Sequence, residues 1–225
     1  MPKLQTMQNP IAVSTWSLHH FLGSSFANGP GSVAPFKEEP TWGSGRGTLL
    51  QLPQELARRG YTRCEICHFH VGSLERRDLE KLKLAFANAG VVIQTLLIDD
   101  GDLTQVATLE RDTAWIKSWI EAASMLVAEN VRVIAGKSKP SPDSLSLAVA
   151  GLNDMVALGA RLGVTVATEN WHDLLSTPDA VHHVLDRVEG LGFMADTGNW
   201  SGPTKYQDLK SIFARANLCH AKAHF

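Results

Sequence analysis

Apolar and polar positions follow two different patterns along the chain. Short apolar runs rich in Val, Ile and Ala alternate with longer stretches in which apolar residues recur at the period of a helix. Continuous apolar runs are typical of parallel strands that are covered on both faces. Seven strands are therefore predicted, at residues 11–16, 62–69, 91–98, 131–135, 164–169, 191–196 and 217–223.

The stretches between these runs predict six helices. Pro53 in a first turn and glycines directly after a last turn, such as Gly60 and Gly163, are typical helix boundaries. The predicted helices span residues 52–59, 74–89, 104–130, 142–162, 177–188 and 203–216. Strands that alternate with helices in this way favour right-handed crossovers and a parallel sheet.

Two α/β architectures fit this order: an open doubly wound sheet and a (β/α)₈ barrel. No G-x-G-x-x-G follows the first predicted strand, which disfavours a dinucleotide-binding fold. We predict one barrel domain over residues 1–225. The first connection, residues 24–47, is long and rich in Gly, Pro and Ser, so we expect either a lid over the active-site face or a loose insertion.

Composition and charge exclude several classes. The 225 residues carry a net charge of -2, so no basic excess indicates a nucleic-acid partner or an anionic membrane. We find no apolar run close to the roughly 20 residues of a membrane span and no secretory leader, which makes the cytoplasm the expected location. Cys64 and Cys67 lie three apart on a predicted strand and should point to opposite faces, against a shared metal or disulfide.

Ionisable residues lie where the predicted strands end. Glu169, Asp196 and His220 belong to the fifth, sixth and seventh strands, whose carboxyl ends meet at one mouth in a barrel. Two carboxylates and an imidazole suit Mn²⁺, Mg²⁺, Co²⁺ or Zn²⁺. Structural alternatives remain for each: a helix-capping partner for Glu169, an Asx-turn for Asp196 and a core histidine for His220.

A second set of residues near the same ends is predicted to contact the substrate. Its members are Glu65, His70, Lys137, Asn170, His172, Asn199 and Lys222. Lys222 and His224 alternate with His220 and should share its face of the strand. Glu65 has the alternative of pairing with Arg63 or Lys222, and the aspartates at 99, 100 and 102 are expected to solvate and cap a loop.

Four segments in strand order, CEICHFH, ATENWHD, MADTGNW and CHAKAHF, resemble the xylose isomerase-like barrel superfamily. The resemblance is to its sugar phosphate isomerase/epimerase group, which also contains endonuclease IV. It implies one divalent metal held by Glu169, Asp196, His220 and a Glu from an eighth strand. It also implies that Glu169 is catalytic and moves a proton through a cis-enediolate.

The sequence departs from that family in two places. The chain ends directly after the seventh predicted strand, so we expect the eighth unit and its Glu to be absent, with a longer gene product or another group completing the site. Asn199 stands where sugar 3-epimerases and endonuclease IV usually carry a His. An amide can hydrogen-bond a substrate hydroxyl but is a poor metal ligand.

The leading hypothesis is a metal-dependent isomerase or epimerase of a small sugar, sugar phosphate or hydroxy-keto acid. A lyase or dehydratase on the same scaffold and a non-catalytic sugar-binding barrel are alternatives, because one fold hosts many chemistries. An abasic-site nuclease is a remote alternative, since the chain is near neutral and lacks further zinc ligands. A homo-oligomer is left open.

Overall fold

The computed structural model of the chain describes residues 11–222. Seven parallel strands form one sheet, in which they lie side by side in the order of the chain. Two further strands form a separate pair that lies, in sequence, between the first and second strands of that sheet. The nine strands are β1 (Val13–Ser14), β2 (Ser25–Ala27), β3 (Lys37–Glu39), β4 (Arg63–Cys67), β5 (Val92–Leu97), β6 (Asn130–Arg132), β7 (Thr165–Glu169), β8 (Gly192–Asp196) and β9 (Leu218–His220).

The parallel sheet is curled. β4 and β9 are five strand spacings apart in the sheet, which is about 24 Å if the sheet were flat. Yet Glu65 of β4 and His220 of β9 touch, with Oε2 and Nε2 2.9 Å apart. Curling of this kind confirms the predicted α/β class, a (β/α) barrel of which seven strands are present.

Helices separate the parallel strands and cover the outside of the sheet. They are α1 (His19–Leu22), α2 (Leu52–Arg58), α3 (Arg76–Ala89), α4 (Leu109–Met125), α5 (Pro142–Leu162), α6 (Pro178–Leu185) and α7 (Lys205–Phe213). Ser141 begins α5 with a capping box, and the Thr177 side chain accepts a hydrogen bond from the N–H of Ala180 at the start of α6. Gly163 ends α5 in the left-handed conformation, as its position predicts.

Most predicted elements are longer than the observed ones, and one helix and two strands are examples. The helix predicted at 104–130 is α4, which starts at Leu109 because Asp102 holds the preceding residues in a loop. Asp102 Oδ1 accepts hydrogen bonds from the N–H and the hydroxyl of Thr104 and from the N–H of Lys137. The strands predicted at 131–135 and 217–223 are the shorter β6 and β9.

The core lies mainly between the sheet and the helices. Trp119, Phe86 and Phe193 are its largest fully buried side chains. Among the described residues, the barrel interior holds a small apolar cluster of Cys67, Leu97 and Met194, against which Phe69 and Leu218 pack. Cys64 belongs to the outer core and Cys67 to the interior, and both are free thiols. The two faces predicted for this pair are confirmed, and the interior is left for polar side chains.

α5 corrects one expectation from composition. In the part of the chain that the structure describes, it is the one helix long and apolar enough to cross a membrane. Its stripe of buried residues includes Ala148, Leu152 and Met155, which belong to the core between the helices and the sheet.

Residues 24–47 contain structure that the sequence did not predict. β2 and β3 pair antiparallel within this segment. The segment is also tied to the barrel, because the buried Asn28 side chain donates hydrogen bonds to the carbonyls of His68 and Val71, 3.0 Å each. Trp115 of α4 donates from Nε1 to the Asn28 carbonyl. These bonds favour an anchored connection over a loose insertion, and a lid role stays a proposal.

Candidate metal centre

Glu169, Asp196 and His220 are the last residues of β7, β8 and β9, and the structure brings them together. One ligand atom from each residue lies within 4.8 Å of the ligand atoms of the other two. His220 Nδ1 is 3.2 Å from Glu169 Oε1 and 3.6 Å from Asp196 Oδ2. All three predicted ligands therefore face one point at the carboxyl ends of adjacent strands.

Asn170 fixes the relative position of two of these strand ends. Its fully buried amide donates to the Asp196 carbonyl and accepts from the Asp196 N–H, at 3.1 and 2.7 Å. Both ends of the amide are thus used by the backbone of β8. Asn170 was predicted to contact the substrate, but in the structure it positions Asp196.

The two oxygens of Asp196 have different surroundings. Oδ1 accepts hydrogen bonds from the N–H groups of Gly198 and Asn199, which is the Asx-turn considered from the sequence. Oδ2 is buried, and no described residue donates a well-aligned hydrogen bond to it, although Lys222 Nζ lies 2.6 Å away. One carboxylate therefore holds its own turn and still offers an oxygen to a cation.

His220 lies between carboxylates. Its Nε2 is 2.9 Å from Glu65 Oε2, on the opposite side of the ring from Glu169. Burial alone would lower the pKa of His220, but its contacts with Asp196, Glu169 and Glu65 raise the pKa to about 11. Burial by itself would raise the pKa of Asp196, yet its contacts with His220, Glu169 and Lys222 and the hydrogen bond from the Gly198 N–H hold that pKa well below its usual range.

A divalent ion fits this donor set. The cluster supplies two carboxylates and one imidazole, and it already stabilises a positive charge on His220. The Asp196 oxygen without an aligned donor marks where a cation would gain a ligand. Because an imidazole binds metal only in its neutral form, a metal would take the place of the His220 proton.

Arg132 is a residue of the candidate site that the sequence reasoning missed. It is 3% exposed in β6, with its Nε 3.0 Å from Glu169 Oε2 and its guanidinium in a close ion pair with Asp99. Nη1 donates to the Ile98 carbonyl at 2.7 Å, and the guanidinium lies over the Trp171 ring. A lone Arg in the apolar run VRVIA was the available signal, because a buried charge needs a partner. Asp99 was expected to be a loop residue, but its carboxylate is that partner.

A cavity of about 630 Å³ opens beside the cluster and runs into the barrel interior. It is large enough for a small organic ligand. Glu65, Asp99, Arg132 and Glu169 line it together with residues of β9.

Two further predicted residues lie in the cluster. Asn199 donates from Nδ2 to Glu169 Oε1 at 3.0 Å. Lys222 reaches Asn199 Oδ1 at 3.0 Å as well as Asp196. Glu65 pairs with His220 and not with Arg63, which instead contacts Gln94 and Glu129. His224, expected on the same face, lies outside the described residues.

Other predicted substrate contacts lie away from the cluster. Lys137 pairs with Asp100, with Nζ and Oδ1 2.6 Å apart. The His172 ring stacks on Trp171. Burial of His172, together with the positive charge of the nearby Lys137, lowers the pKa of His172. Neither residue lines the large cavity.

His70 also lies elsewhere, in contact with the 24–47 segment. Its Nδ1 is 2.9 Å from Thr15 Oγ1, and its ring packs against Trp42. Nearby, His68 Nδ1 accepts a hydrogen bond from the Asp99 N–H among aromatic rings. Burial lowers the pKa of both histidines to about 4. Both are therefore neutral in the folded protein at pH 7.

These two histidines predict acid sensitivity. Their pKa is lower in the folded than in the unfolded chain, so their contribution to stability is complete above pH 6.5 and is lost as pH falls toward 4. Each should reduce the free energy of unfolding by about 1.4 kcal/mol per pH unit in that window. Urea unfolding of metal-free protein between pH 7 and 5 measures this slope. His68→Asn should flatten it, while His183→Asn on α6 should not; equal slopes in all three proteins would contradict the assignment.

The sequence matches a family profile described as a xylose isomerase-like TIM barrel over residues 53–224. The chain belongs to this family. The resemblance seen in the four strand-end segments is thereby confirmed. A comparison with curated proteins gives no significant match.

Several solved structures have the same fold as this chain, although their sequence identity to it is low. A xylose isomerase-like TIM barrel protein from Mycobacterium smegmatis, in complex with magnesium, has a TM-score of 0.68 at 16% identity, over 95% of this chain and 74% of its own. The probable 3-DHS dehydratase AsbF of Bacillus anthracis has a TM-score of 0.68 at 16% identity, over 93% and 71%. The 3-keto-D-glucoside 4-epimerase YcjR of E. coli has a TM-score of 0.62 at 17% identity, over 77% and 73%. At these identities the likeness shows the fold and not the reaction.

Proposed function

We propose that this protein is a divalent-metal-dependent isomerase or epimerase of a small sugar or sugar-like substrate. The observation that carries the proposal is the meeting of Glu169, Asp196 and His220 at the carboxyl ends of three adjacent strands. In a barrel this is the end at which active sites are built. The cavity beside the cluster provides room for the substrate.

The proposed roles follow from the contacts of each side chain. When bound, the metal supplies a Lewis acid for the carbonyl and neighbouring hydroxyl oxygens of the substrate. Glu169 lines the cavity and is the proposed proton acceptor. Arg132 faces its Oε2 and Asn199 donates to its Oε1, so the carboxylate is held in one orientation. A fixed carboxylate is suited to take the proton from the hydroxyl-bearing carbon next to the carbonyl and to return it.

Proton removal at that carbon gives a cis-enediolate of the substrate. Return of the proton to the neighbouring carbon, with the hydroxyl proton passing from one oxygen to the other, yields an isomer. Protonation of the same carbon on its opposite face yields an epimer and requires a second acid on that face, because Glu169 reaches one face of the carbon. Glu65 and Lys222 line the same cavity and are proposed to contact substrate hydroxyl groups. The cytoplasm remains the proposed location.

Proton exchange with solvent tests this proposal. Metal-loaded protein is incubated in D₂O with a panel of ketoses and keto-sugars, and deuterium at carbons next to the carbonyl is followed by NMR. We expect incorporation for at least one substrate, its loss on adding a chelator, and its return with Mn²⁺. Exchange that survives complete metal removal would contradict metal dependence. Water loss would instead identify a dehydratase, and binding without exchange a sugar-binding protein.

A further inference from the structure

We propose that the cavity beside the metal centre selects an uncharged, polyhydroxylated ligand and excludes phosphorylated or carboxylated ones. The inference rests on the proposed function and narrows its substrate class. From the sequence, a sugar, a sugar phosphate and a hydroxy-keto acid were equally acceptable. The way in which charged groups pair around the cavity distinguishes between these three ligand classes.

Every cation that lines the cavity within residues 11–222 already has an acidic partner. Arg132 contacts both Asp99 and Glu169. Lys222 lies 2.6 Å from Asp196, and His220 contacts three carboxylates. A phosphate or carboxylate entering the cavity would therefore have to displace a carboxylate to reach the buried Arg132 guanidinium. Recognition of such anions normally uses an available Arg or Lys.

The balance of charge gives the same answer. Four carboxylates surround the site, those of Glu65, Asp99, Glu169 and Asp196, and each is buried or nearly so. The permanently charged cations that face them are Arg132 and Lys222. The two negative charges that remain are balanced by one divalent ion. An anionic ligand would then add charge that no described residue offsets, in a cavity where water screens charges poorly.

Part of the uncharged cavity wall is aromatic. Trp16, Phe69 and Trp171 line it, and Trp16 is 53% exposed, so its ring is available to a ligand. Trp16 and Phe69 also pack edge to face with each other. Aromatic rings of this kind provide a large apolar surface with low conformational freedom. They suit the C–H face of a sugar or cyclitol ring, whose hydroxyl groups would meet the polar side of the cavity.

Matched ligand pairs test the proposal. Mg²⁺-loaded protein is titrated by calorimetry with D-fructose and D-fructose 6-phosphate, D-xylulose and its 5-phosphate, and D-glucose and D-glucuronate. At least one neutral member should bind about tenfold or more tightly than its anionic counterpart. Asp99→Asn frees one side of Arg132, so the ratio should fall toward one. Asp100→Asn is the control, because Asp100 pairs with Lys137 outside the cavity and its loss should leave the ratio unchanged.

Three results would overturn the inference. The first is an anionic member that binds as tightly as its neutral partner in the unmodified protein. The second is an unchanged ratio in Asp99→Asn, and the third is the absence of binding by every neutral ligand. Metal retained by the same preparation would show that the proposed metal centre survives any of these results, so the two proposals fail separately.

Discussion

Replacing Glu169 by Gln is expected to slow solvent exchange of the substrate proton by at least about 100-fold, which is the lower range for loss of a general base. Gln keeps the size of the side chain and an oxygen toward Asn199 and His220, but it cannot accept a proton at neutral pH. The fold should persist, because Arg132 keeps its ion pair with Asp99. The measurement is the rate of deuterium incorporation by NMR at saturating substrate.

This variant needs a control for metal loss, since Glu169 is also a proposed ligand. Metal content is therefore measured in the same preparation, and exchange is compared at full metal occupancy. The control variant is Glu121→Gln, which lies on the exposed side of α4. It should catalyse exchange of the substrate proton at the rate of the unmodified protein. Exchange in Glu169→Gln within tenfold of that rate would show that another group removes the proton.

Replacing Arg132 by Met should lower the free energy of unfolding by about 3–5 kcal/mol, as expected when one partner of a buried ion pair is removed. Met fits the space of the side chain stem but carries no charge. Loss of the Arg132 guanidinium would leave the carboxylates of Asp99 and Glu169 without a cation that both contact. The Ile98 carbonyl would also lose a hydrogen-bond donor. Urea unfolding at pH 7 measures the change.

Arg215→Met is the matched surface control. Arg215 pairs with Asp186 where both side chains are partly exposed to solvent, so its loss should cost no more than about 1 kcal/mol. Arg132→Lys should fall between the two, because one ammonium group cannot contact both carboxylates and the carbonyl in the same way. A cost for Arg132→Met as small as that for Arg215→Met would show that the buried pairings contribute little.

The arrangement of the strands was predictable because the inner parallel strands, β4 to β8, are mostly buried on both faces and read as largely apolar runs. The same feature made the candidate site recognisable from the sequence. A carboxylate at the end of VTVATE or GFMAD stands out because a charge without a partner is costly at the end of a buried strand. Chain order then placed Glu169, Asp196 and His220 at one end of the sheet. These inferences depend only on local pattern and on the geometry common to parallel barrels.

What the sequence could not predict depends on distant pairings. The partners of Arg132 are Asp99, which follows β5, and Glu169 of β7, and only the curled sheet brings them together. Asn170 and Asn199 carry the same amide, yet one bonds the backbone of Asp196 and the other the carboxylate of Glu169. The pairing of β2 with β3 lies in a segment without a strong period of either kind. His70 was close in sequence to the site but turns toward Thr15 instead.

The most direct test of a metal centre at the strand ends is a calorimetric titration of Mn²⁺ into metal-free protein, compared with Asp196→Asn. The Asn side chain keeps the oxygen that accepts from Gly198 and Asn199, so the turn should survive while the charged ligand is lost. The account predicts one equivalent of bound Mn²⁺, with the affinity reduced at least about 100-fold in the variant. A folded protein that binds no Mn²⁺, or binds it equally well in the variant, would contradict it.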